Sequence, residues 1–193
     1  MRYYSDKTFT DLIREQERIE NIAFEDCVFE NCKFSECTLV DCMFAECTFS
    51  HCSMADVRSI NSHMAFTRFI QCALVGIDWQ NWQSSGSISF PLQTLKKCFL
   101  KYNIFSKMQF RKFDFMQSSI VHSTFSQCRL SECDFNGCDL KDTEYSDCDL
   151  QKSDFRKASG YNIDPTVNKI RGAKFSYPDA VNLLRAFHIT VEK

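Results

Sequence analysis

The sequence predicts an all-β solenoid, in which the chain coils around a filled core and each coil stacks on the previous one. The first observation is a large apolar residue at every fifth position, called position i here, over residues 24–79 and, after a slip of one residue, over 90–155. The second is that all twelve cysteines lie at position i−2. A period of five keeps no constant face on a helix or a flat strand. A short fixed period is typical of a repeat architecture.

Position i is predicted to face inward, because a five-residue repeat keeps one side inside only if the chain bends once per repeat. Of the 26 i positions between Phe24 and Phe155, only Ser59 is neither apolar nor aromatic. The predicted structural core includes Phe24, Phe29, Phe34, Phe44, Phe49, Phe125, Phe135 and Phe155. Position i−2 shares the inward side and favours small residues, so its cysteines are predicted to be buried free thiols. Their spacing, never shorter than five residues, does not suit a zinc site.

The repeats CDFNG and CDLKD at 133–142 carry a family resemblance. The pattern resembles the pentapeptide repeat family, whose consensus is a small residue, Asp or Asn, Leu or Phe, and two variable residues. The resemblance covers residues 24–159 and implies a right-handed, four-sided β-solenoid in which each coil consists of four successive repeats.

Both ends of a solenoid expose backbone and core, so a cap is predicted at each end. Residues 1–23 are expected to form an N-terminal cap with a short helix after Thr10, and 24–159 the solenoid. Residues 160–193 are expected to form a C-terminal cap with a helix over about 177–187. This helix would begin after an N-cap at Ser176 and present an apolar stripe that includes Leu183, Leu184 and Phe187. The stripe fits an intramolecular cap, and the resemblance implies a homodimer through this end.

The stretch QNWQSSGSIS, 80–89, interrupts the repeat and has the composition of a loop. We expect it to project from the coil and to expose Trp82 as a candidate partner contact. The alternative is a bulge that only restarts the register.

The sequence indicates a binding protein without catalytic residues, metal or cofactor. It contains no HExxH, no G-x-S-x-G and no glycine-rich phosphate loop, and its four histidines are scattered. No apolar run approaches the roughly 20 residues of a membrane span, and the start lacks the apolar core of a signal peptide. A cytoplasmic location without a membrane partner is therefore expected.

Charge is uneven along a chain whose net charge is −2. Residues 24–79 carry 8 acids and 3 bases, whereas 80–127 carry 1 acid and 6 bases. The acids of the first region favour position i+2, and the candidate partner-binding surface consists of Asp26, Glu36, Asp41, Glu46 and Asp56. Solvated surface decoration is the alternative. Over 128–155 the acids favour i−1, where Asp can accept a hydrogen bond from the backbone at a bend.

The tail, NIDPTVNKI followed by AVNLLRAFHITV, is similar to the topoisomerase-protecting branch of the family, the Qnr, MfpA and microcin-immunity McbG types. That resemblance implies a dimeric DNA mimic that binds DNA gyrase, sometimes topoisomerase IV, and relieves poisoning by a quinolone or a peptide toxin, which confers antibiotic resistance or immunity. The alternative is an interaction scaffold for another cytoplasmic partner. Direct nucleic-acid binding by the basic middle, 96–112, is the least favoured hypothesis.

Overall fold

The computed structural model describes residues 1–82 and 91–192, which form two compact units, Met1–Phe99 and Leu100–Lys193. Both units are built from short parallel strands, and the predicted β-solenoid is confirmed. Residues 83–89 of the interrupted stretch lie outside the described residues. Among the described residues, no helix is long and apolar enough to cross a membrane.

The first unit coils around four faces, and most of its strands pair with the strand four repeats further along the chain, as Tyr3 pairs with Ala23. Face 1 contains β1 (Arg2–Ser5), β5 (Ile22–Glu25), β9 (Met43–Ala45) and β13 (His63–Ala65). Face 2 contains β2 (Thr8–Thr10), β6 (Val28–Glu30), β10 (Thr48–Ser50), β14 (Thr67–Ile70) and β16 (Leu92–Lys96). Face 3 contains β3 (Ile13–Glu15), β7 (Lys33–Ser35), β11 (Ser53–Ala55) and β15 (Ala73–Val75). Face 4 contains β4 (Arg18–Glu20), β8 (Thr38–Val40) and β12 (Arg58–Ile60), and the 3₁₀ helix Trp79–Trp82 follows β15.

The corners between these faces lie at position i+2, where the backbone is left-handed. Asp26 has φ 51° and Glu46 has φ 54°. The amide of Asp26 donates to the carbonyl of Ala45 in the next coil at 3.0 Å, so the bend costs no backbone hydrogen bond. Apart from glycine, Asn and Asp adopt this conformation most readily.

The core is a set of aromatic columns along the coil axis. In the first unit the ring of Phe49 stacks on Phe29 at 4.5 Å and on Phe69 at 4.8 Å, which matches the usual spacing of about 4.8 Å between strands. Of the phenylalanines predicted for the core, seven are buried, and Phe24 is half-buried.

The prediction of an N-terminal cap with a helix over residues 1–23 is wrong. These residues form β1 to β4, a coil of the same kind, in which Tyr4 stacks on Phe24 at 5.5 Å and Phe9 on Phe29 at 5.1 Å. The repeat was hidden because Arg14 occupies one of the i positions of this coil, whose other i positions hold Tyr4, Phe9 and Ile19.

The second unit contains fewer strands and more turns. Its strands are β18 (Ile104–Ser106), β19 (Ser119–Val121), β20 (Thr124–Ser126), β21 (Glu144–Ser146), β22 (Asp154–Phe155) and β23 (Lys174–Phe175), and β17 (Phe99–Lys101) begins at the last residue of the first unit. Many of its other corners are β-turns closed by a hydrogen bond, as from Cys138 N to Phe135 O at 3.1 Å. The third residue of that turn, Gly137, has φ +69°, as a type II turn requires.

The predicted end of the solenoid at residue 159 is also wrong, because the coil continues to Phe175. β23 pairs with β22, and the ring of Phe175 stacks on Phe155 at 5.2 Å. A local change in register conceals this coil. Glu144 pairs with Asn162, two residues short of a full coil, whereas the next bridge, from Asp149 to Lys169, has the usual spacing of four repeats.

The C-terminal helix is a 3₁₀ helix over Asp179–Phe187, which begins later than predicted. Pro178 occupies its N-cap position without a side-chain hydrogen bond, so the prediction of Ser176 as N-cap is wrong. The Ser176 hydroxyl instead accepts a hydrogen bond from the amide of Lys157 at 3.1 Å.

Candidate partner-binding surface

The five predicted acids all lie at left-handed corners of the first unit, between φ 51° and 54°. Four of them are exposed, and Asp41 is half-buried. Their distribution over the corners follows from the strand register, so they do not form one continuous patch.

Asp26 and Glu46 share the corner between faces 1 and 2, one coil apart. Asp6 precedes them on the same corner, so three carboxylates follow one another along the coil axis. Glu25, the last residue of β5, adds a fourth carboxylate next to this column. We call Asp6, Asp26 and Glu46 the first acidic column.

Glu36 and Asp56 lie on the corner between faces 3 and 4, which is diagonally opposite the first acidic column. Gln16 occupies the preceding coil of this corner and donates from Nε2 to the Glu36 carboxylate at 3.2 Å. We call Glu36 and Asp56 the second acidic column.

Asp41 is separate from both columns, on the corner between faces 4 and 1. Its carboxylate accepts a hydrogen bond from the side-chain amide of Asn61, one coil further on. This local role makes Asp41 the weakest of the five candidates.

Corner acids outside the predicted set extend the same pattern. Fifteen corners of the first unit between Asp6 and Gly76 have positive φ; seven carry a carboxylate, and none of these fifteen carries Lys or Arg. The left-handed backbone explains part of the preference for Asp, but it does not favour Glu. The fold therefore explains the glutamates at these corners less well than it explains the aspartates. Asp6 and Asp11 were not predicted, because the repeat that the sequence reveals begins at residue 24.

The i−1 acids of the second unit support the backbone, as the sequence suggested for Asp. Asp134 accepts from the amide of Asn136 at 2.8 Å, and Asp139, Asp149 and Asp154 each accept equivalent bonds from the amide two residues on. These carboxylates form Asx turns at the bends.

The prediction that Trp82 is an exposed loop contact is wrong. Its side chain is 1% exposed, and its ring centre lies 6.4 Å from that of Phe44. Trp79 and Trp82 are three residues apart on a 3₁₀ helix, where such residues share one side, and both point into the core.

The C-terminal candidates are only partly covered. Leu183 and Leu184 are half-buried, and Phe187 is 53% exposed. Ile189 and Val191, further along the tail, are also exposed.

The twelve cysteines are buried free thiols distributed along the core. Cys47 is typical: its Sγ lies 3.5 Å from the carbonyl of Phe24 and 3.3 Å from that of Ala45. Burial raises the pKa of the Cys47 thiol to about 12. Within residues 1–82 and 91–192, no group of three or more His, Cys, Asp or Glu could hold a metal ion.

The pentapeptide repeat model matches the chain in eight copies, over residues 24–58 and 118–156. No curated protein matches the chain significantly.

The solved structures that are similar to this chain include QnrB1 and HetL. Full-length QnrB1, a plasmid-mediated fluoroquinolone resistance protein, is similar at 17% identity over 94% of this chain and 100% of that one, with a TM-score of 0.63. HetL, a pentapeptide repeat protein involved in heterocyst differentiation regulation in the cyanobacterium Nostoc sp., is similar at 11% identity over 89% of this chain and 86% of that one, with a TM-score of 0.43. The chain therefore contains pentapeptide repeats over residues 24–58 and 118–156, and its solenoid of five-residue steps is similar in fold to full-length QnrB1.

Proposed function

We propose that the protein binds a type II topoisomerase, DNA gyrase or topoisomerase IV, in place of duplex DNA and protects it from a quinolone or a peptide toxin. The two acidic columns of the first unit carry this proposal. They lie on diagonally opposite corners, as two phosphate strands lie on opposite sides of a duplex.

The charge density of the columns is comparable with that of DNA. Duplex DNA places one phosphate per about 3.4 Å of axis on each strand, and the columns place one carboxylate per coil, at about 4.8 Å. An enzyme groove that attracts phosphates with Lys and Arg would attract such columns by the same electrostatic steering.

The likeness to QnrB1 supports a quinolone as the poison, because that protein is described as a fluoroquinolone resistance protein. At 17% identity the likeness concerns the fold, so the acidic columns of this chain remain the main argument. The proposed role is one of binding without catalysis.

The C-terminal end is proposed to form a symmetric dimer. The partly covered Leu184 and the 53% exposed Phe187 supply an apolar surface that a second copy would bury. Phe187→Asp should convert a dimer of about 45 kDa, twice the 22.5 kDa chain, into a monomer in sedimentation equilibrium. A wild-type protein that is monomeric at 100 μM would contradict the dimer and leave topoisomerase binding untouched.

The function is tested by a gyrase supercoiling and cleavage assay with a quinolone or with a microcin, with and without the protein. The test variant is Asp26→Asn, Glu36→Gln, Glu46→Gln and Asp56→Asn together. These changes remove four charges at similar volume, and Asn tolerates the left-handed corner. The control variant is Asp142→Asn, Glu144→Gln and Asp147→Asn, which removes exposed charges from the second unit.

We expect the wild type and the control to restore supercoiling in the presence of the poison, and the test variant to need at least 10-fold more protein. Equal protection by all three proteins would exclude the acidic columns as the surface that binds the topoisomerase. If wild type has no effect on gyrase or topoisomerase IV at any concentration, the alternative of a scaffold for another partner is favoured.

A further inference from the structure

One side of the second unit collects basic residues that are scattered along the sequence. Bridges between Gln109, Arg129, Asp149 and Lys169 align four successive coils. We call the surface formed by 109–112, 129–132, 149–152 and 169–172 the basic face. Its cations are Arg111, Lys112, Arg129, Lys152, Lys169 and Arg171.

The two carboxylates of the basic face leave most of this charge available. Glu132 is shared by Arg111, at 3.0 Å from Nη2, and by Lys112, at 3.8 Å from Nζ. These contacts hold the pKa of Glu132 below its usual value, with the Arg111 hydrogen bond as the largest cause. Asp149 accepts from the amide of Gln151 at 3.1 Å, so it also serves the backbone.

Arg129, Lys152 and Lys169 are exposed and, within the part of the chain that the structure describes, form no ion pair. Arg129 and Lys169 lie in one column two coils apart, a separation of about 9.6 Å from the strand spacing. The adjoining corner adds Lys107 and Asp147, whose charges cancel.

The basic face is concave. A groove of 800 Å³ is lined by the cations Arg111, Arg129, Lys152 and Lys169, by the carboxylates Glu132, Asp147 and Asp149, and by neutral polar side chains such as Gln109 and Ser131. No aromatic side chain lines it among the described residues. A surface of this kind can contact phosphates, but it offers no ring on which an unpaired base could stack.

We propose that the basic face binds the sugar–phosphate backbone of duplex DNA without reading its sequence. Its cations are spread over four coils and their charge is complementary to a regular line of phosphates. The absence of stacking side chains in the described groove favours a duplex over a single strand.

This proposal does not rest on topoisomerase binding, because the acidic columns belong to the first unit and the basic face to the second. If protection of a poisoned topoisomerase depends on the acidic columns, variants of the basic face should still protect it. The two proposals can therefore fail separately.

The test is fluorescence anisotropy of a labelled 20-bp duplex, titrated with the full chain between 50 and 200 mM salt. If each of the four cations that line the groove contacts one phosphate, the affinity should fall about 150-fold over this range of salt. Arg129→Glu, Lys152→Glu and Lys169→Glu together should weaken binding at least 30-fold at 50 mM salt. The slope of log affinity against log salt should become shallower by about 2.7.

The matched control is Lys141→Glu, Lys157→Glu and Lys174→Glu. It changes the net charge equally, at three exposed lysines of the same unit outside the basic face. We expect this control to lose less than 3-fold in affinity for the duplex. If the charge-reversed test variant is unstable, it is replaced by a neutral variant that carries Arg129→Gln, Lys152→Gln and Lys169→Gln. We expect this neutral variant to lose at least 10-fold in affinity for the duplex.

Equal losses in the two variants would mean that net charge alone governs binding, and would overturn the proposal. So would wild-type protein that does not bind the duplex at 50 mM salt. Competition by poly-glutamate as effective as that by unlabelled duplex would identify an acidic protein surface as the partner instead.

Discussion

The rings of Phe135 and Phe155, one coil apart in the second unit, stack with their centres 4.7 Å apart and their planes at 5°. Phe115 stacks on the other side of Phe135 at 4.7 Å and 6°. The ring spacing equals the strand spacing of about 4.8 Å, so backbone pairing and ring packing are satisfied together. This agreement explains why i positions one coil apart so often both carry large apolar residues.

Phe135→Ala should destabilise the protein by about 3–5 kcal/mol, because it leaves a cavity between two rings that cannot move together while their strands remain paired. The measurement is urea unfolding followed by circular dichroism. Ile104→Ala is the control, since Ile104 is 46% exposed in the same unit, and its effect should be below about 1 kcal/mol. A loss below about 1 kcal/mol for Phe135→Ala would mean that the column does not support the fold.

The periodicity predicted the strands and the core, but not where the coil begins and ends. The five-residue spacing identifies inward positions only while those positions hold apolar residues. Arg14 conceals the first coil, and the changed spacing at Asn162 conceals the last. In both places backbone pairing maintains the coil although the side-chain pattern is lost.

The candidate surface was partly predictable. A coil of four repeats places Asp26 beside Glu46, and the family resemblance already implied such a coil. The left-handed backbone at each corner became visible only in the structure. This conformation favours Asp at a corner, whereas it does not favour Glu. Trp82 was misjudged because the Ser and Gly residues that follow it suggest a loop, whereas the 3₁₀ helix turns its ring inward.

Gly160 allows two coils to approach closely. Its φ is +71°, and a Cβ atom there would lie 3.0 Å from the Cα of Lys141. Gly137 has a similar φ of +69°, but its Cβ would meet nothing closer than 4.0 Å. Gly137→Ala should therefore cost about 1 kcal/mol from the left-handed backbone alone, and Gly160→Ala about 1–3 kcal/mol more.

Urea midpoints of the two glycine variants, measured side by side, test this difference. Equal destabilisation would mean that the coils near Lys141 can separate without cost, and would contradict the close approach.

The thiols should resist modification in the folded protein. Burial raises the pKa of Cys47, and likewise of Cys133 and Cys138, to about 12, so these three thiols are protonated at pH 8. Hydrogen bonds with Cys72 and Cys128 lower the pKa of Cys98 and Cys148, and these two thiols are protected by their burial in the core. We expect a disulfide reagent such as DTNB to modify fewer than one thiol in minutes, and all twelve after unfolding in urea. Rapid modification of several thiols in native protein would show that the coils open readily.

The Arg156 side chain should make stability depend on the charge of Asp154. Its Nη2 lies 2.6 Å from Oδ2 of Asp154, and this contact lowers the pKa of Asp154. Because the folded pKa lies below the unfolded value of about 3.9, the stabilisation is present above pH 4 and is lost as the pH falls through the folded pKa. The Arg156 side chain is 54% exposed, so solvent screening keeps this contribution to stability small.

Asp154→Asn isolates this charge effect, because an Asn oxygen can still accept the bond that Asp154 takes from the amide of Arg156 at 3.0 Å. Wild type should be more stable than Asp154→Asn at pH 7, and the difference should vanish near pH 2. In Arg156→Gln, an NMR titration should find the pKa of Asp154 raised towards its usual value. An unchanged pKa in that variant would mean that the backbone amide, and not the guanidinium, holds the proton off this carboxylate.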